Sequence, residues 1–359
     1  MLLGTDRKIF EQDSVVQARI RNLAKAFPDD AFDAIVFSTR AHGAPASCPL
    51  APNAHAYAAN ARTRLGYGSA ALRVAKTLPR PDIVSAADPF ETGLAALMIA
   101  RHFRAPLAVE MHTDFTTRAY ARVGLVNRVR LAIARFVLPR AAGGYAVSKR
   151  VRDAVVRRYG LTRPFSVLPI FVDTARFEAL PRTPQAGNLL WVGRFTKEKD
   201  PASALRALAA LGRAGHDARL TLLGEGPLAS ALRALAEALH ISAQVSFPGW
   251  QDPAAYLPGT ELLLSTSRYE GYGMAIVEAL SAGVPVLATD TGIARDAGAV
   301  IAQGPFAEAL IAWFEGPRAR GTLRLPAYES ESAYFARVRA LYASLASTRA
   351  TVPGTDGTL

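Results

Sequence analysis

The chain has 359 residues, a formal net charge of +12 and a hydrophobic content of 50%. This length exceeds the usual size of one hydrophobic core, so two domains are expected, and the composition excludes a disordered or fibrous protein. Cys48 is the only cysteine, which excludes intrachain disulfides and a cysteine-based metal cluster. The sequence shows neither the apolar core of a signal peptide nor an apolar run of the ~18 residues that a membrane span needs, and it predicts a cytoplasmic protein.

Short apolar or β-branched runs alternate with longer alanine-rich stretches that favour helices. In the first half of the chain the runs are 33–38, 82–86, 106–112, 143–148 and 165–172. In the second half they are 188–194, 218–224, 244–249, 261–267 and 285–290. A repeated strand-then-helix order predicts the α/β class, with parallel sheets that carry helices on both faces. Two such series predict two doubly wound domains.

The predicted boundaries follow the breaks in this rhythm. They give an N-terminal domain at 1–172, a linker at 173–187, a C-terminal domain at 188–328, a C-terminal helix at 329–348 and a flexible tail at 349–359. The linker contains three chain-breaking residues and no clear periodicity. The C-terminal helix could pack back on the N-terminal domain. Ligands of open α/β sheets bind beyond the carboxyl ends of the strands, so the predicted active site is a cleft between the two domains.

Two strand ends in the second half carry residues suited to a phosphate ligand. In VGRFTKEK, Gly193 lets a ligand approach the backbone, and Arg194 and Lys199 could neutralise a diphosphate. In LLGEGPL, Gly224 opens a turn into a helix, the form in which phosphates or sugars approach a helix N-terminus. The alternative is that these are ordinary surface charges and an ordinary turn.

The segment RYEGYGMAIVEALSAGVP at 268–285 holds two carboxylates seven positions apart in sequence, with a glycine-rich turn between them. We expect Glu270 in the strand-to-helix loop and Glu278 on the helix that follows. The backbone amides of Gly273, Met274 and Ala275 would then be unpaired at the helix N-terminus and ready for a phosphate. This order suits a diphosphate with hydroxyl-rich groups on both sides, which is the form of a nucleotide sugar.

These motifs, together with FPGW and EGYGMAIVEALSAGVPVLATDTG, resemble those of the retaining glycosyltransferases of family 4. The resemblance runs from TDRKIFE near the N-terminus to about residue 290. It implies the GT-B architecture, with two Rossmann-like domains that face each other across a cleft. It also implies transfer of a glycosyl unit from a nucleotide sugar, with retention, to a cell-envelope, lipid-linked or polysaccharide acceptor.

The resemblance assigns roles to residues of the second domain. Arg194 and Lys199 would bind the donor diphosphate and stabilise the leaving nucleotide. Glu278 would hold the ribose hydroxyls, and Glu270 would face the donor sugar. The amides of Gly273, Met274 and Ala275 would contact the distal phosphate or the sugar.

In the first domain the resemblance makes His112, in EMHTDF, the catalytic candidate beside the transferred sugar. Residues expected on the acceptor side are Asp6, Arg7, Lys8, Asp88, Glu91 and Asp114. For Asp88 and Glu91, which open a predicted helix, N-capping is the cheaper explanation. The base is expected near Trp250, and no residue there distinguishes UDP from GDP.

No Asp-x-Asp motif occurs in the sequence. The predicted enzyme therefore has no metal site and no cofactor, and Arg194 and Lys199 would take the role that a divalent ion has in other transferases.

Residues 118–163 contain twelve basic side chains and one acid, Asp153. Such a stretch is suited to an anionic partner, and we predict contact with the inner face of a membrane. A solvated basic helical face is the simpler alternative. Two further classes remain open: a nucleotide-sugar epimerase, which shares the two-domain form, and a nucleic-acid-binding protein, which the lack of a recognition motif disfavours.

Overall fold

A computed structural model describes residues 1–12, 14–326 and 330–347 of the chain. The chain divides into two compact units. The first comprises Met1–His112, Gly124–Pro169 and the segment that starts at Ser330, and the second comprises Thr113–Val123 and Ile170–Glu329. This division differs from the predicted boundaries in that residues 113–123 and 170–172 group with the second unit. The predicted tail at 349–359 lies outside the described residues.

The strands of both units are short. In chain order they are β1 (Leu2–Gly4), β2 (Phe32–Val36), β3 (Ser47–Ala51), β4 (Ala54–Ala58), β5 (Val84–Ala86), β6 (Leu107–Met111), β7 (Gly143–Ala146), β8 (Phe165–Val167), β9 (Asn188–Val192), β10 (Arg219–Leu223), β11 (Val245–Gly249), β12 (Leu262–Ser265), β13 (Val286–Ala288) and β14 (Val300–Ile301). Each of the ten predicted runs overlaps one of them. The three-residue β1, the hairpin β3–β4 and the two-residue β14 lie outside those runs, since alanine-rich and very short strands carry little β signal.

The helices connect the strands. In chain order they are α1 (Val15–Ala26), α2 (Tyr67–Ala75), α3 (Glu91–Phe103), α4 (Arg118–Arg122), α5 (Leu125–Val137), α6 (Lys149–Tyr159), α7 (Thr174–Glu178), α8 (Pro201–Arg213), α9 (Ala229–Ala238), α10 (Met274–Ser281), α11 (Ala294–Ala297), α12 (Phe306–Glu315) and α13 (Glu331–Ser347). The predicted linker at 173–187 therefore contains a helix, α7, whose start is capped by the side chain of Asp173.

In the part of the chain that the structure describes, each unit contains one β-sheet. The first sheet has the order β3-β4-β2-β1-β5-β6-β7-β8, and the second has the order β11-β10-β9-β12-β13-β14. The neighbours pair in parallel, except that β3 and β4 are antiparallel. The two α/β parallel-sheet domains predicted from the alternation are thus confirmed.

The strand order places the ligand-binding edge of each sheet. Chain order reverses direction between β1 and β5 in the first sheet and between β9 and β12 in the second. Doubly wound sheets bind their ligands beyond the carboxyl ends of such a strand pair. The loops after β9 and β12, which carry VGRFTKEK and RYEGYG, are therefore neighbours at the expected position.

The central strands are buried on both faces. Leu262, Leu263 and Leu264 of β12 are at most 1% exposed, and Trp191 of β9 is 2% exposed within the core of the second unit. Continuous apolar runs of this kind are typical of parallel strands covered by helices.

The C-terminal helix α13 packs in the first unit. Its Arg339 donates to Asp30 at 3.1 Å, and the amide of Asn22 on α1 lies 3.4 Å from the Glu331 carboxylate. The rings of Phe335 and Phe27 meet edge to face at 6.4 Å. Across the described residues, no helix is both long and apolar enough to cross a membrane.

Candidate active site

The loops after β9 and β12 are joined by an ion pair. Lys199 pairs with Glu270, and the hydroxyl of Ser267 donates to the same carboxylate oxygen at 3.2 Å. The side chains of Lys199 and Glu270 are 22% and 17% exposed, so the pair is partly shielded from water but still reachable by a ligand. The structure thus brings together two of the residues that the sequence placed at one donor site.

Buried hydrogen bonds hold the first of these loops in place. The indole of Trp191 donates to Thr266 Oγ at 3.0 Å, and the Thr266 hydroxyl lies 3.1 and 2.8 Å from the carbonyl oxygens of Lys199 and Asp200. The Thr266 side chain, at the end of β12, therefore ties the Lys199 backbone to the neighbouring strand.

Arg194 lies nearer to the solvent than Lys199. Its guanidinium is 68% exposed and pairs with Glu198, whose carboxylate also lies 3.5 Å from the hydroxyl of Tyr269. The backbone amide of Arg268 donates to the Glu198 carbonyl at 2.8 Å. Both cations of VGRFTKEK thus have a carboxylate neighbour, and a diphosphate would compete with those carboxylates for them.

Two glycines let the backbone approach closely around these loops. A Cβ at Gly224 would lie 1.8 Å from the carbonyl oxygen of Gly193, so no larger residue fits there without moving the β9 loop. Gly273 has a φ of 111°, which favours glycine, and it is the N-cap of α10.

The N-terminus of α10 presents free backbone donors. The first amide of this helix with a protein acceptor is that of Ile276, which donates to the Gly273 carbonyl at 3.0 Å. In the described part of the chain, the amides of Gly273, Met274 and Ala275 have no acceptor. Together with the helix dipole, these amides form a site for an anionic group.

Glu278 lies on the second turn of α10, and the surroundings of its carboxylate differ from those of Glu198 and Glu270. Among the described residues its carboxylate has no hydrogen-bond or ion-pair partner. Burial, and then the charge of Asp252, raise the pKa of Glu278 to about 7 against the opposing effect of Arg176. Arg176 and Asp252 form an ion pair of their own. A half-buried carboxylate without donors is suited to ligand hydroxyls.

In the first unit, His112 follows β6 and lies beside Glu110. His112 Nε2 is 2.9 Å from Glu110 Oε2, and the ring packs edge to face against Tyr145 at 5.8 Å. Burial alone would raise the pKa of Glu110, but hydrogen bonds from His112, Tyr145 and Tyr342, with the His112 charge, lower it to about 2. This carboxylate is therefore ionised at neutral pH and fully engaged.

His112 and Glu110 line a pocket of about 280 Å³ in the first unit. Its other walls come from the carboxyl end of β1, from α1 and from α13, and they include Asp6, Arg19 and Tyr334. The pocket lies at the point where the order of the first sheet reverses, between β1 and β5.

The predicted acceptor-side residues separate into two groups. Asp6 lines the pocket and caps a short 3-10 helix by accepting from the Lys8 amide at 3.1 Å, while Arg7 and Lys8 are exposed and outside the lining. Their acceptor role stays a prediction.

The other acceptor-side residues make local contacts. Asp88 accepts from the Phe90 amide at 2.8 Å, Glu91 accepts from Arg130 at 3.0 Å, and buried Asp114 accepts from the Thr116 hydroxyl at 2.6 Å. These carboxylates serve turns and an ion pair. Neither Asp88 nor Glu91 caps α3, because its N-cap is Phe90 without a side-chain hydrogen bond, and their acceptor role stays a prediction.

Two further predicted features are exposed. Trp250, directly after β11, is 59% exposed. The basic stretch spans α4, α5 and α6, and α5 carries Leu125, Val126 and Val129 at 75%, 59% and 59% exposure. The described residues contain no group of three or more His, Cys, Asp or Glu side chains that could hold a metal ion.

Sequence reasoning missed the partners of the site residues. Glu198 lies within VGRFTKEK, and the alternating charges there could have indicated its pairing with Arg194. Tyr342 is 232 positions from Glu110, and no local pattern marks that contact.

Comparison with known proteins adds two family matches. Residues 174–304 match the model of the glycosyl transferases group 1, and residues 16–176 match that of Glycosyltransferase Family 4. The two matches overlap at residues 174–176, close to the start of the main segment of the second unit at Ile170.

Similar proteins are transferases or synthases by name. A 2-deoxystreptamine glucosyltransferase of Streptomyces kanamyceticus is 29% identical, over 55% of this chain and 56% of that protein. An alpha-monoglucosyldiacylglycerol synthase of Streptococcus pneumoniae is 27% identical, over 61% of this chain and 54% of that protein. The chain thus spans about half the length of the curated relatives it matches.

A solved structure shares the fold over the whole chain. Anabaena HepE in complex with UDP-glucose superposes with a TM-score of 0.65 at 17% identity, and the match covers 97% of this chain and 98% of that one. The two family matches together span residues 16–304 and show that the chain belongs to the glycosyltransferases of this family, while the likeness to HepE and the two parallel-sheet units show the GT-B fold.

Proposed function

We propose that the protein transfers a glycosyl unit from a nucleoside-diphosphate sugar to a hydroxyl of a cell-envelope, lipid-linked or polysaccharide acceptor, with retention. The observation that carries this proposal is the arrangement at α10. In the described residues the amides at its N-terminus have no acceptor and the carboxylate on its second turn has no partner, and the Lys199–Glu270 pair lies beside its start.

Each part of that arrangement matches a part of the donor. The carboxylate of Glu278 accepts from the ribose hydroxyls, since none of the residues that the structure describes donates to it. The amides of Gly273, Met274 and Ala275 bind the distal phosphate or the sugar, and Glu270 contacts the sugar. The complex of HepE with UDP-glucose supports a donor of this class.

The cations act on the departing group. Cleavage of the glycosyl phosphate bond builds negative charge on the diphosphate and positive charge on the sugar ring. Arg194 and Lys199 stabilise the former, and preorganised charges of this kind lower the barrier most when they are already in place. Lys199 is the better placed of the two, because it is less exposed and its backbone is tied to β12.

Metal independence is part of the proposal, since Arg194 and Lys199 supply the positive charge. Activity is expected to persist in excess EDTA. Loss of activity in EDTA, restored by manganese, would contradict it.

The partner of the basic stretch is proposed to be an anionic membrane surface at the inner face of the membrane. On α5 the exposed apolar residues Leu125, Val126 and Val129 alternate with exposed Arg128 and Arg135, a combination that suits a headgroup region. The charged residues attract the surface, and the apolar ones bury in it.

A vesicle assay tests this surface. We expect Val126→Glu with Val129→Glu to weaken binding to vesicles that contain anionic lipid. Leu65→Glu is the matched control, because Leu65 is 99% exposed elsewhere in the first unit. Equal binding to neutral vesicles in high salt would contradict an electrostatic contact.

The competing epimerase class is not favoured, since the similar proteins above are transferases or synthases. Incubation with a nucleotide sugar alone separates the classes, because an epimerase converts the donor without an acceptor.

The donor site itself is tested by a thermal-shift panel of UDP-sugars and GDP-sugars. At least one is expected to raise the melting temperature of the wild type, and Glu278→Ala is expected to abolish that rise. Absence of any shift in the wild type would contradict the proposal.

A further inference from the structure

We propose that Glu110, held by Tyr342 of the C-terminal helix α13, is a positioning residue that fixes the ring and tautomer of His112. The proposal rests on the proposed transferase function, in which His112 lies beside the transferred sugar. It concerns the first unit, whereas the donor contacts above concern the second.

The Glu110 carboxylate accepts from four donors. Oε1 accepts from Tyr342 at 2.7 Å and from Ser85 at 2.9 Å, while Oε2 accepts from Tyr145 at 2.7 Å and lies 2.9 Å from His112 Nε2. Four donors match the acceptor capacity of an ionised carboxylate. The Glu110 side chain is 13% exposed, and its position is set from four directions.

This arrangement determines which nitrogen of His112 is available. An ionised carboxylate only accepts, so Nε2 carries a proton whether the ring is charged or neutral, and in the neutral form the lone pair lies on Nδ1. The edge-to-face contact with Tyr145 fixes the ring plane. In the described residues nothing contacts Nδ1, while the ring is 29% exposed and lines the pocket. Nδ1 is thus the nitrogen offered to a hydroxyl of the donor sugar or the acceptor.

The C-terminal helix supplies part of this support from far along the chain. Tyr342 reaches Glu110 from α13, and α13 is attached to α1 and to Asp30 by the contacts described above. Arg19 and Tyr334 are the other ionisable groups that face the cluster, and Tyr334 hydrogen-bonds Arg19 rather than Glu110. Tyr334→Phe is therefore a matched control for Tyr342→Phe on the same helix.

The experiment measures the His112 tautomer and the kinetics of the full chain together. Imidazole ¹⁵N NMR of the wild type is expected to show the Nε2–H tautomer. Glu110→Gln is expected to give mixed tautomers and to lower kcat about 10- to 100-fold, with the donor KM changed by less than about threefold. Tyr342→Phe is expected to lower kcat about 3- to 10-fold, and Tyr334→Phe to leave the tautomer unchanged.

The outcomes separate this inference from the proposed function. Unchanged tautomer and kcat in Glu110→Gln, or a loss confined to KM, would overturn the inference and leave the transferase function intact. If no nucleotide sugar is transferred, the proposed function fails. The tautomer measurement then still decides whether Glu110 fixes His112, because a mixed-tautomer wild type would overturn the inference by itself.

Discussion

Glu278 in the second unit and Glu110 in the first are both shielded carboxylates at the ligand-binding edge of a sheet, but their surroundings are opposite. Glu278 has no partner among the described residues, and its pKa is raised to about 7, first by burial and then by Asp252. Glu110 has four donors, and despite its burial its pKa is lowered to about 2, chiefly by His112 and the tyrosine hydroxyls. The difference indicates two roles: an acid without partners is kept for a ligand, and a saturated one positions a neighbour.

The largest expected difference between the two acids is in the pH dependence of stability. The folded pKa of Glu278 lies above the reference value of 4.5, so its ionisation opposes folding. The second unit should lose up to about 3 kcal/mol as the pH rises from 4.5 to 7. The folded pKa of Glu110 lies below 4.5, so the first unit should lose a similar amount, up to about 3 kcal/mol, as the pH falls from 4.5 to 2.

Calorimetric unfolding across this pH range measures both slopes. Glu278→Gln should remove the slope above pH 4.5, and Glu110→Gln the slope below it. If each variant kept the wild-type pH dependence of stability, the assignment of opposite pKa shifts to Glu278 and Glu110 would be wrong.

The next largest difference is expected in nucleotide binding. Glu278→Ala should weaken the affinity for a nucleoside diphosphate about 100-fold, because two hydrogen bonds to a charged acceptor are lost. Glu110→Gln should leave that affinity unchanged, since its contacts are all within the first unit. Isothermal titration calorimetry checks both, and equal losses in the two variants would show that the acids do not have separate roles.

A smaller effect is expected when one of the four hydrogen-bond donors to the Glu110 carboxylate is removed. Tyr145→Phe should lower the free energy of unfolding of the first unit by about 1–3 kcal/mol, because it removes a hydroxyl that donates to Glu110 at 2.7 Å. Tyr67→Phe is the matched control, since the buried Tyr67 hydroxyl has no partner in the described residues. Its removal should leave the stability unchanged or raise it. Equal losses in both variants would indicate a packing effect.

The two sites also differ in how far the sequence predicts them. The donor side is local: Gly193, Arg194 and Lys199 follow one strand, while Glu270 and Glu278 flank one helix start. Strand periodicity and glycine spacing therefore predicted the parallel strands and the loops that carry these residues, whereas the order of the strands within each sheet was not predicted. The support of His112 depends on residues that local patterns do not connect, because Glu110 and Tyr342 meet only when α13 packs in the first unit. The pairing of Arg194 with Glu198 is of the opposite kind, because the two residues lie four positions apart in one charge run and the local signal was not used.

The central claim is that Glu278, which has no partner in the described part of the chain, binds the donor ribose in its ionised form. Titration calorimetry of UDP-glucose and GDP-mannose at pH 6, 7 and 8 tests it most directly, because these sugar nucleotides do not themselves ionise in that range. With a Glu278 pKa of about 7, the affinity for the preferred donor should rise about tenfold from pH 6 to pH 8, and Glu278→Gln should abolish this rise. A donor that binds the wild type with the same affinity at all three pH values would contradict the claim.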